Sequence, residues 1–290
     1  VSRLARFAFR GRTAVVTGAA SGIGEQVAHA LARRGTNLVL LDRDAERLRA
    51  VAAEVRFLNP EVEVGTIVVD LADAAALELV AEGIRAAHPR VHLLVNNAGV
   101  ALAGMFEQTS LDEFEWLVDI NLRAPIRLTH HLLPVLLAAP NAHIVNVSSI
   151  FGIIAPPGQT AYSTSKFGLR GFSESLRSEL RPQGIGVTTV HPGGIRTAIA
   201  RNARAATGVR EEDIAQGRET FDRLLRIPPE RAAELIVRAV ERRKARLLIG
   251  ASARIPDLAA RLAPVGHSLA FRPIMARAPG TVGRARTRAG

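Results

Sequence analysis

The sequence predicts an α/β fold: a doubly wound parallel sheet of seven strands, in one domain, with helices on both faces. Two observations carry this. Seven short runs rich in Val, Ile and Leu recur along the 290 residues, and most are separated by stretches with apolar residues every three to four positions. The runs are apolar throughout instead of alternating, as strands buried on both faces must be. In such a sheet the ligand binds beyond the carboxyl ends of the strands.

The runs come in order. "TAVVTG" (13–18) is followed by the amphipathic "GEQVAHALARRG", and "NLVLLD" (37–42) by "DAERLRAVAAEV". Next come "EVGTIVVD" (63–70), "VHLLVNN" (91–97) and "AHIVNVSS" (142–149), then "GVTTVHPGG" (186–194) and "ARLLIG" (245–250). Residues 198–244 read as a helical insertion before the last strand, with "PPE" (228–230) suited to opening a helix. Residues 1–250 form the expected catalytic unit, and 251–290 a basic, partly amphipathic extension.

Composition narrows the function. The chain has no cysteine, which excludes disulfides, thiolate metal sites and cysteine nucleophiles. Its eight histidines show no metal-binding spacing, so no metal is expected. No run is long enough to span a membrane, and the basic "VSRLARFAFRGR" lacks the apolar core of a secretion signal. A cytoplasmic location is expected. The net charge of +11 is uneven: residues 231–290 carry thirteen basic groups against three acidic ones, leaving residues 1–230 almost neutral. A nucleic-acid-binding body would instead carry a basic stripe.

Chemistry is suggested by "TAYSTSKFG" (160–168). It holds the single tyrosine, Tyr162, and one of two lysines, Lys166, in a chain that otherwise uses arginine. Four apart on a helix they share a face, and lysine is a compact point charge that arginine cannot imitate. Upstream, "TGAASGIG" places Gly18, Gly22 and Gly24 in a strand–turn–helix context, where a pyrophosphate can approach the backbone at a helix amino terminus. Asp42, at the end of the second strand, is placed to accept from a ribose diol and to repel a 2′-phosphate. Asp44 suits the role of helix cap. Asp70 could meet an adenine amino group, although Asp70 or Asp73 could equally cap the next helix. "NNAG" (96–99) is a small polar loop closing the fourth strand, and Asn121 interrupts a helix for which asparagine is a poor former.

Taken with Ser149, thirteen residues before Tyr162, and "PGGIRT" (192–197), these motifs resemble the short-chain dehydrogenase/reductase superfamily over about residues 10–250. The resemblance implies a Rossmann-like sheet and an oxidoreductase acting on CH–OH groups with the tetrad Asn121, Ser149, Tyr162 and Lys166. Tyr162 would be the general acid/base and Ser149 would hold the substrate oxygen. Lys166 would bind the nicotinamide ribose and, with oxidised nicotinamide, favour phenolate. Asn121 would shape a water-mediated proton relay. Cofactor contacts are implied for Gly18, Ser21, Gly22, Ile23 and Gly24, for Asp42 and Arg43, for Asp70 and Leu71, and for Asn97, Ala98 and Gly99. Pro192, Gly193, Ile195 and Thr197 complete the set with Tyr162 and Lys166. Ser148 reads as structural.

Asp42 favours NAD, while the neighbouring Arg43 keeps NADP as the alternative. Phe151, Ile153, Ile154 and Pro156, with Ile199, Ile214, Phe221 and Leu224, suggest an apolar secondary alcohol or ketone. The runner-up is an NADPH-dependent carbonyl or 3-oxoacyl reductase, and a non-catalytic dinucleotide-binding regulator is the second class. A homodimer or homotetramer is expected, and no nucleic-acid partner. The extension is either a solvated appendage or a peripheral membrane contact through Arg254, Arg261, Arg272 and Arg277 with Leu258, Leu262, Leu269 and Phe271.

Overall fold

The computed structural model describes residues 4–197, 199, 202–210 and 225–266. Seven strands form a sheet in the order β3 (Val64–Val68), β2 (Asn37–Asp42), β1 (Thr13–Thr17), β4 (Leu93–Asn96), β6 (His143–Val147), β7 (Gly186–Pro192) and β9 (Arg246–Ile249). Every pairing is parallel. All seven strands correspond to the apolar runs of the sequence. A separate parallel pair joins β5 (Leu102–Ala103) to β8 (Arg204–Ala205).

Alternation within each strand feeds two cores. Ala14 and Val16 of β1 and Leu38 and Leu40 of β2 pack into one, with α1 (Gly22–Ala32), α2 (Ala45–Leu58) and α7 (Pro229–Glu241). Val15, Val39 and Leu41 point to the opposite face, against α3 (Ala74–Ala87), α5 (Ala124–Leu137) and α6 (Thr160–Leu180). Both faces of the central strands are therefore dry, which explains their lack of a polar side, while the edge strand β3 stays partly exposed. A Leu or Ile fully buried here is worth about 1.5–3 kcal/mol, so the layers rest on residues such as Leu31, Leu40, Ile84 and Leu128, each almost fully buried.

Local signals set the helix ends. Asp44 accepts from Arg47 N–H at 3.0 Å and caps α2; Asp73 does the same for α3 through Ala76 N–H at 3.0 Å. Asp70 is thereby not the cap. Its carboxylate accepts from Ala72 N–H at 2.9 Å in the preceding turn. Pro228 and Pro229 open α7 as "PPE" suggests. After β9, α8 (Ala251–Leu262) is tied back by Asp257, which accepts from Arg246 at 2.5 and 3.1 Å.

Strand order reverses between β1 and β4, opening a crevice beyond their carboxyl ends. Most of the residues proposed above from sequence sit there.

Candidate active site

One side of the crevice is built from backbone. Gly18 ends β1 at φ +65°, a region L side chains rarely adopt, and a Cβ there would lie 2.8 Å from Ala98 Cα. A Cβ on Gly24 would fall on the Gly18 carbonyl oxygen, and one on Gly22 would approach Thr197 Cγ2 at 3.1 Å. Ser21 stands at the N-cap of α1 with no side-chain cap, exposed at the helix mouth, and Ile23 packs toward the core. The first-turn amides of α1 thus border a cradle that side chains would fill.

Asp42 reaches this loop. Its Oδ2 accepts from Ala20 N–H at 3.0 Å and its Oδ1 from Asp44 N–H at 3.1 Å, while Arg43 is exposed beside it. Asp70 is exposed and Leu71 half-buried at the end of the next connection. Thr17, which sequence reasoning passed over, joins β1 to the "NNAG" loop. Its Oγ1 accepts from Asn97 N–H at 3.0 Å and Ala98 N–H at 3.1 Å, and the Asn97 amide donates to Thr17 O at 3.0 Å. A threonine ending a strand beside a glycine turn was the signal available for it.

The other side is built from side chains. Asn121 lies in a π-helical turn, Asp119–Arg123, between α4 (Leu111–Val118) and α5. Ala124 N–H there donates to Asp119 O five residues back. Fully buried, the Asn121 amide grips Val100 at both ends: Oδ1 accepts from Val100 N–H at 2.8 Å and Nδ2 donates to Val100 O at 2.9 Å. Nδ2 also approaches Ser165 Oγ at 3.3 Å. A Cβ on Gly99 would meet Asn121 Oδ1 at 3.1 Å and Lys166 Nζ at 3.3 Å, so both side chains converge on that glycine.

Tyr162 and Lys166 share one face of α6, and Lys166 Nζ lies 5.7 Å from the Tyr162 ring centroid. The Ser149 side chain is near enough to the Tyr162 hydroxyl to favour the phenolate. Ser149 Oγ accepts from Phe151 N–H at 3.1 Å, and the Phe151 ring meets Tyr162 edge-on at 6.1 Å. Lys166, 2% exposed, donates to Val147 O at 3.1 Å. Burial pushes its pKa down to about 8. Burial likewise pushes the Tyr162 phenol above its ordinary value, opposed by the Ser149 side chain. Without oxidised nicotinamide, the other charge expected to favour phenolate, desolvation is the largest influence on the phenol.

Ser148 is structural as expected, its Oγ donating to Lys166 O at 2.9 Å. His191 pairs through its Nδ1 with Ser149 O at 2.9 Å, while burial drives its pKa down to about 4. Held neutral, it braces the turn that carries Ser149. Pro192 and Ile195 are buried at the end of β7; Gly193 N–H donates to Ile249 O at 3.0 Å and Thr197 N–H to Ile195 O at 2.9 Å. Of the apolar lining, Ile153 and Ile154 are buried and Phe151 and Pro156 half-buried, while Ile214, Phe221 and Leu224 lie outside the described residues. Trp116 is half-buried, with the Arg204 guanidinium 3.9 Å above its ring.

A glycine cradle at a helix mouth, a carboxylate at the end of β2 and a buried lysine fit a nicotinamide dinucleotide. The sequence profile described as short chain dehydrogenase matches residues 12–208, more than half of the chain. The chain belongs to the short-chain dehydrogenase family. SadH of Mycobacterium tuberculosis is 38% identical to it over 257 residues, spanning 88% of this chain and 91% of that one. Dehydrogenase/reductase SDR family member 7B of Xenopus laevis is 34% identical over 272 residues, spanning 91% and 81%. Among solved structures, a short chain dehydrogenase/reductase from Burkholderia phymatum in complex with NAD superposes with a TM-score of 0.77 at 28% identity, covering 91% of this chain and 96% of that one. A short-chain dehydrogenase from Sphingobium yanoikuyae in complex with NADPH gives 0.72 at 29%, covering 96% and 98%. This short-chain dehydrogenase is accordingly an oxidoreductase.

Proposed function

We propose that the protein oxidises an apolar secondary alcohol, or reduces the matching ketone, with NAD as redox partner. The observation that carries this is Tyr162 beside Ser149 and one helical turn from a buried lysine whose Nζ lies 5.7 Å from its ring. Bound nicotinamide supplies or accepts the hydride. Ser149 holds the substrate oxygen, and Tyr162 takes the hydroxyl proton in oxidation or gives it in reduction. A phenol pushed up by burial is a poor base near neutrality, so oxidation is favoured at alkaline pH and reduction at neutral pH. Lys166 counters that rise by placing positive charge near the phenol, and it is one of the groups that would hold the cofactor ribose. Asn121, clamped on Val100, spaces a proton path behind Lys166. Gly18, Gly22 and Gly24 with Asn97, Ala98 and Gly99 would line the pyrophosphate side. Asp42 would take the adenosine ribose and Asp70 with Leu71 the adenine, while Pro192, Gly193, Ile195 and Thr197 would face the nicotinamide.

Absorbance of reduced nicotinamide tests the proposal, with NAD or NADP offered alongside pooled secondary alcohols to wild type and Tyr162→Phe. Turnover with NAD that vanishes in the variant is expected; turnover surviving in the variant overturns the role of Tyr162. The exposed Arg43 beside Asp42 supports one second reading, an NADPH-dependent carbonyl or 3-oxoacyl reductase. Preference for NADP in the same assay would favour it.

Residues 1–250 are taken as the catalytic unit and 251–290 as an appended basic extension. A cytoplasmic homodimer or homotetramer through the helices bearing Asn121 and Tyr162 fits the exposed Phe167 on α6; light scattering that gives a monomer overturns it. On α8, Ile255, Leu258 and Leu262 are exposed beside exposed Arg254 and Arg261, a face suited to an anionic membrane surface. Arg272, Arg277, Leu269 and Phe271 lie outside the described residues. No described helix is long and apolar enough to cross a membrane. Vesicle sedimentation unchanged by removing residues 252–290 would end the membrane reading.

A further inference from the structure

On the helical layer formed by α1 and α2, three ligating side chains converge that the reaction does not use. Glu25 and His29 lie four apart on α1, and Glu54 comes from α2; one ligand atom of each lies within 4.8 Å of the other two. We propose that this triad binds one divalent transition-metal ion of the zinc class, clipping α1 to α2. His29 is 7% exposed, and its Nε2 is buried without a hydrogen-bond partner. That nitrogen stands 3.1 Å from Glu54 Oε2, yet the two are not aligned as donor and acceptor. Two ligands of a tetrahedral zinc, each about 2.0–2.1 Å from the metal, are themselves about 3.3 Å apart. The pair is thus already close to the spacing a shared cation imposes.

Glu25 has one oxygen engaged, Oε1 accepting from Arg47 at 3.2 Å, and its second oxygen remains to ligate. Arg33 lines the adjoining cleft. Two carboxylates and an imidazole lie beside the Arg47 guanidinium, and an ion that bonds to imidazole gains more there than one held by charge alone. Imidazole with carboxylate suits zinc, copper or nickel better than calcium or magnesium. A cleft of about 430 Å³, lined by His29, Arg33, Ala53, Glu54, Phe57 and Leu58, adjoins the triad at two of its three residues. Its Phe57 wall is 88% exposed. Sequence spacing among the histidines could not show this site, because two of its ligands are glutamates and one comes from another helix.

This inference stands apart from the catalytic reading. The test uses metal-stripped full-length protein titrated with zinc chloride by calorimetry, with thermal denaturation alongside. One zinc per chain is expected, raising Tm by about 5 °C at zinc about 100-fold above its Kd. Glu54→Gln and His29→Gln should each weaken binding by at least the about 10–100-fold that follows loss of a supporting contact, and His130→Asn should not. Glu54 is half exposed on its side chain, so its variant decides the matter if the His29 variant fails to fold. No saturation below about 1 mM, a −4.1 kcal/mol interaction, overturns the proposal. So does binding that survives Glu54→Gln unchanged, or that is lost in His130→Asn instead.

Discussion

The two sides of the crevice are built from different materials. The dinucleotide side relies on main-chain shape: Gly18 and Gly24 clear space, and Thr17 and Asn97 pin the loops through backbone groups. The chemical side relies on side chains, with Tyr162, Ser149, Lys166 and Asn121 each carrying a particular functional group. Substitution on the first side should therefore damage binding and folding together. On the second it should remove chemistry while leaving the fold intact, or even relieve it. The difference follows from what each side gives up: close approach of backbone in one, desolvation of polar groups in the other.

The sharpest separation comes from Tyr162→Phe. Turnover should fall about 10²–10⁴-fold, the range for losing a general acid/base, with NAD affinity and Tm nearly unchanged. Steady-state absorbance, cofactor titration and thermal scans measure the three. A matching loss of stability would erase the contrast.

On the other side, Gly24→Ala drives a methyl into the Gly18 carbonyl oxygen. Overpacking of this kind costs about 3 kcal/mol, so urea midpoint and NAD affinity should drop together.

Lys166 should behave in the opposite sense. Its folded pKa of about 8 lies below the ordinary 10.5, so between those values the unfolded chain binds more protons and stability rises with pH. Below pH 8 the buried ammonium costs about 3 kcal/mol, from 1.36 kcal/mol per pKa unit. Lys166→Met also loses the hydrogen bond to Val147 O, worth about 1 kcal/mol. The variant should be inactive yet more stable by about 2 kcal/mol at pH 7, its advantage shrinking from pH 8 to 10.5. Urea melts of both proteins across that range check the sign.

Smallest is Asp42→Ala, which should lower NAD affinity about tenfold, as for one hydrogen bond to a charged group, and narrow the preference over NADP. Equal losses for both cofactors would mean that Asp42 serves only the amides of Ala20 and Asp44.

Much of this contrast was legible in the sequence, unequally. All seven sheet strands were visible as unbroken apolar runs, which burial on both faces explains for the central ones, while β3 at the sheet edge is partly exposed. β5 and β8 were not, since two residues establish no period. Glycine spacing marked the cradle, and the isolated Tyr–Lys pair marked α6. What could not be read was the state of those groups: Lys166 and the phenol are shifted by burial, which depends on layers far apart in the chain. Thr17 and His191 were overlooked as partners for the same reason, as their contacts are Ala98 and Ser149, remote in sequence. Residues 211–224, within the 198–244 stretch read as a helical insertion, lie outside the described residues.

The π-helical turn at Asp119–Arg123 carries a consequence for the length of the chain. Such a turn holds one residue more than an α-helical turn, so it works as a phase shifter between α4 and α5. Deleting a single residue within it would let the two helices fuse into one regular ladder at almost no cost in helix. Asn121, or whichever residue then took its place, would be rotated by about 100°, one step of a 3.6-residue helix, away from Val100. A one-residue indel here should therefore silence the site while circular dichroism barely changes.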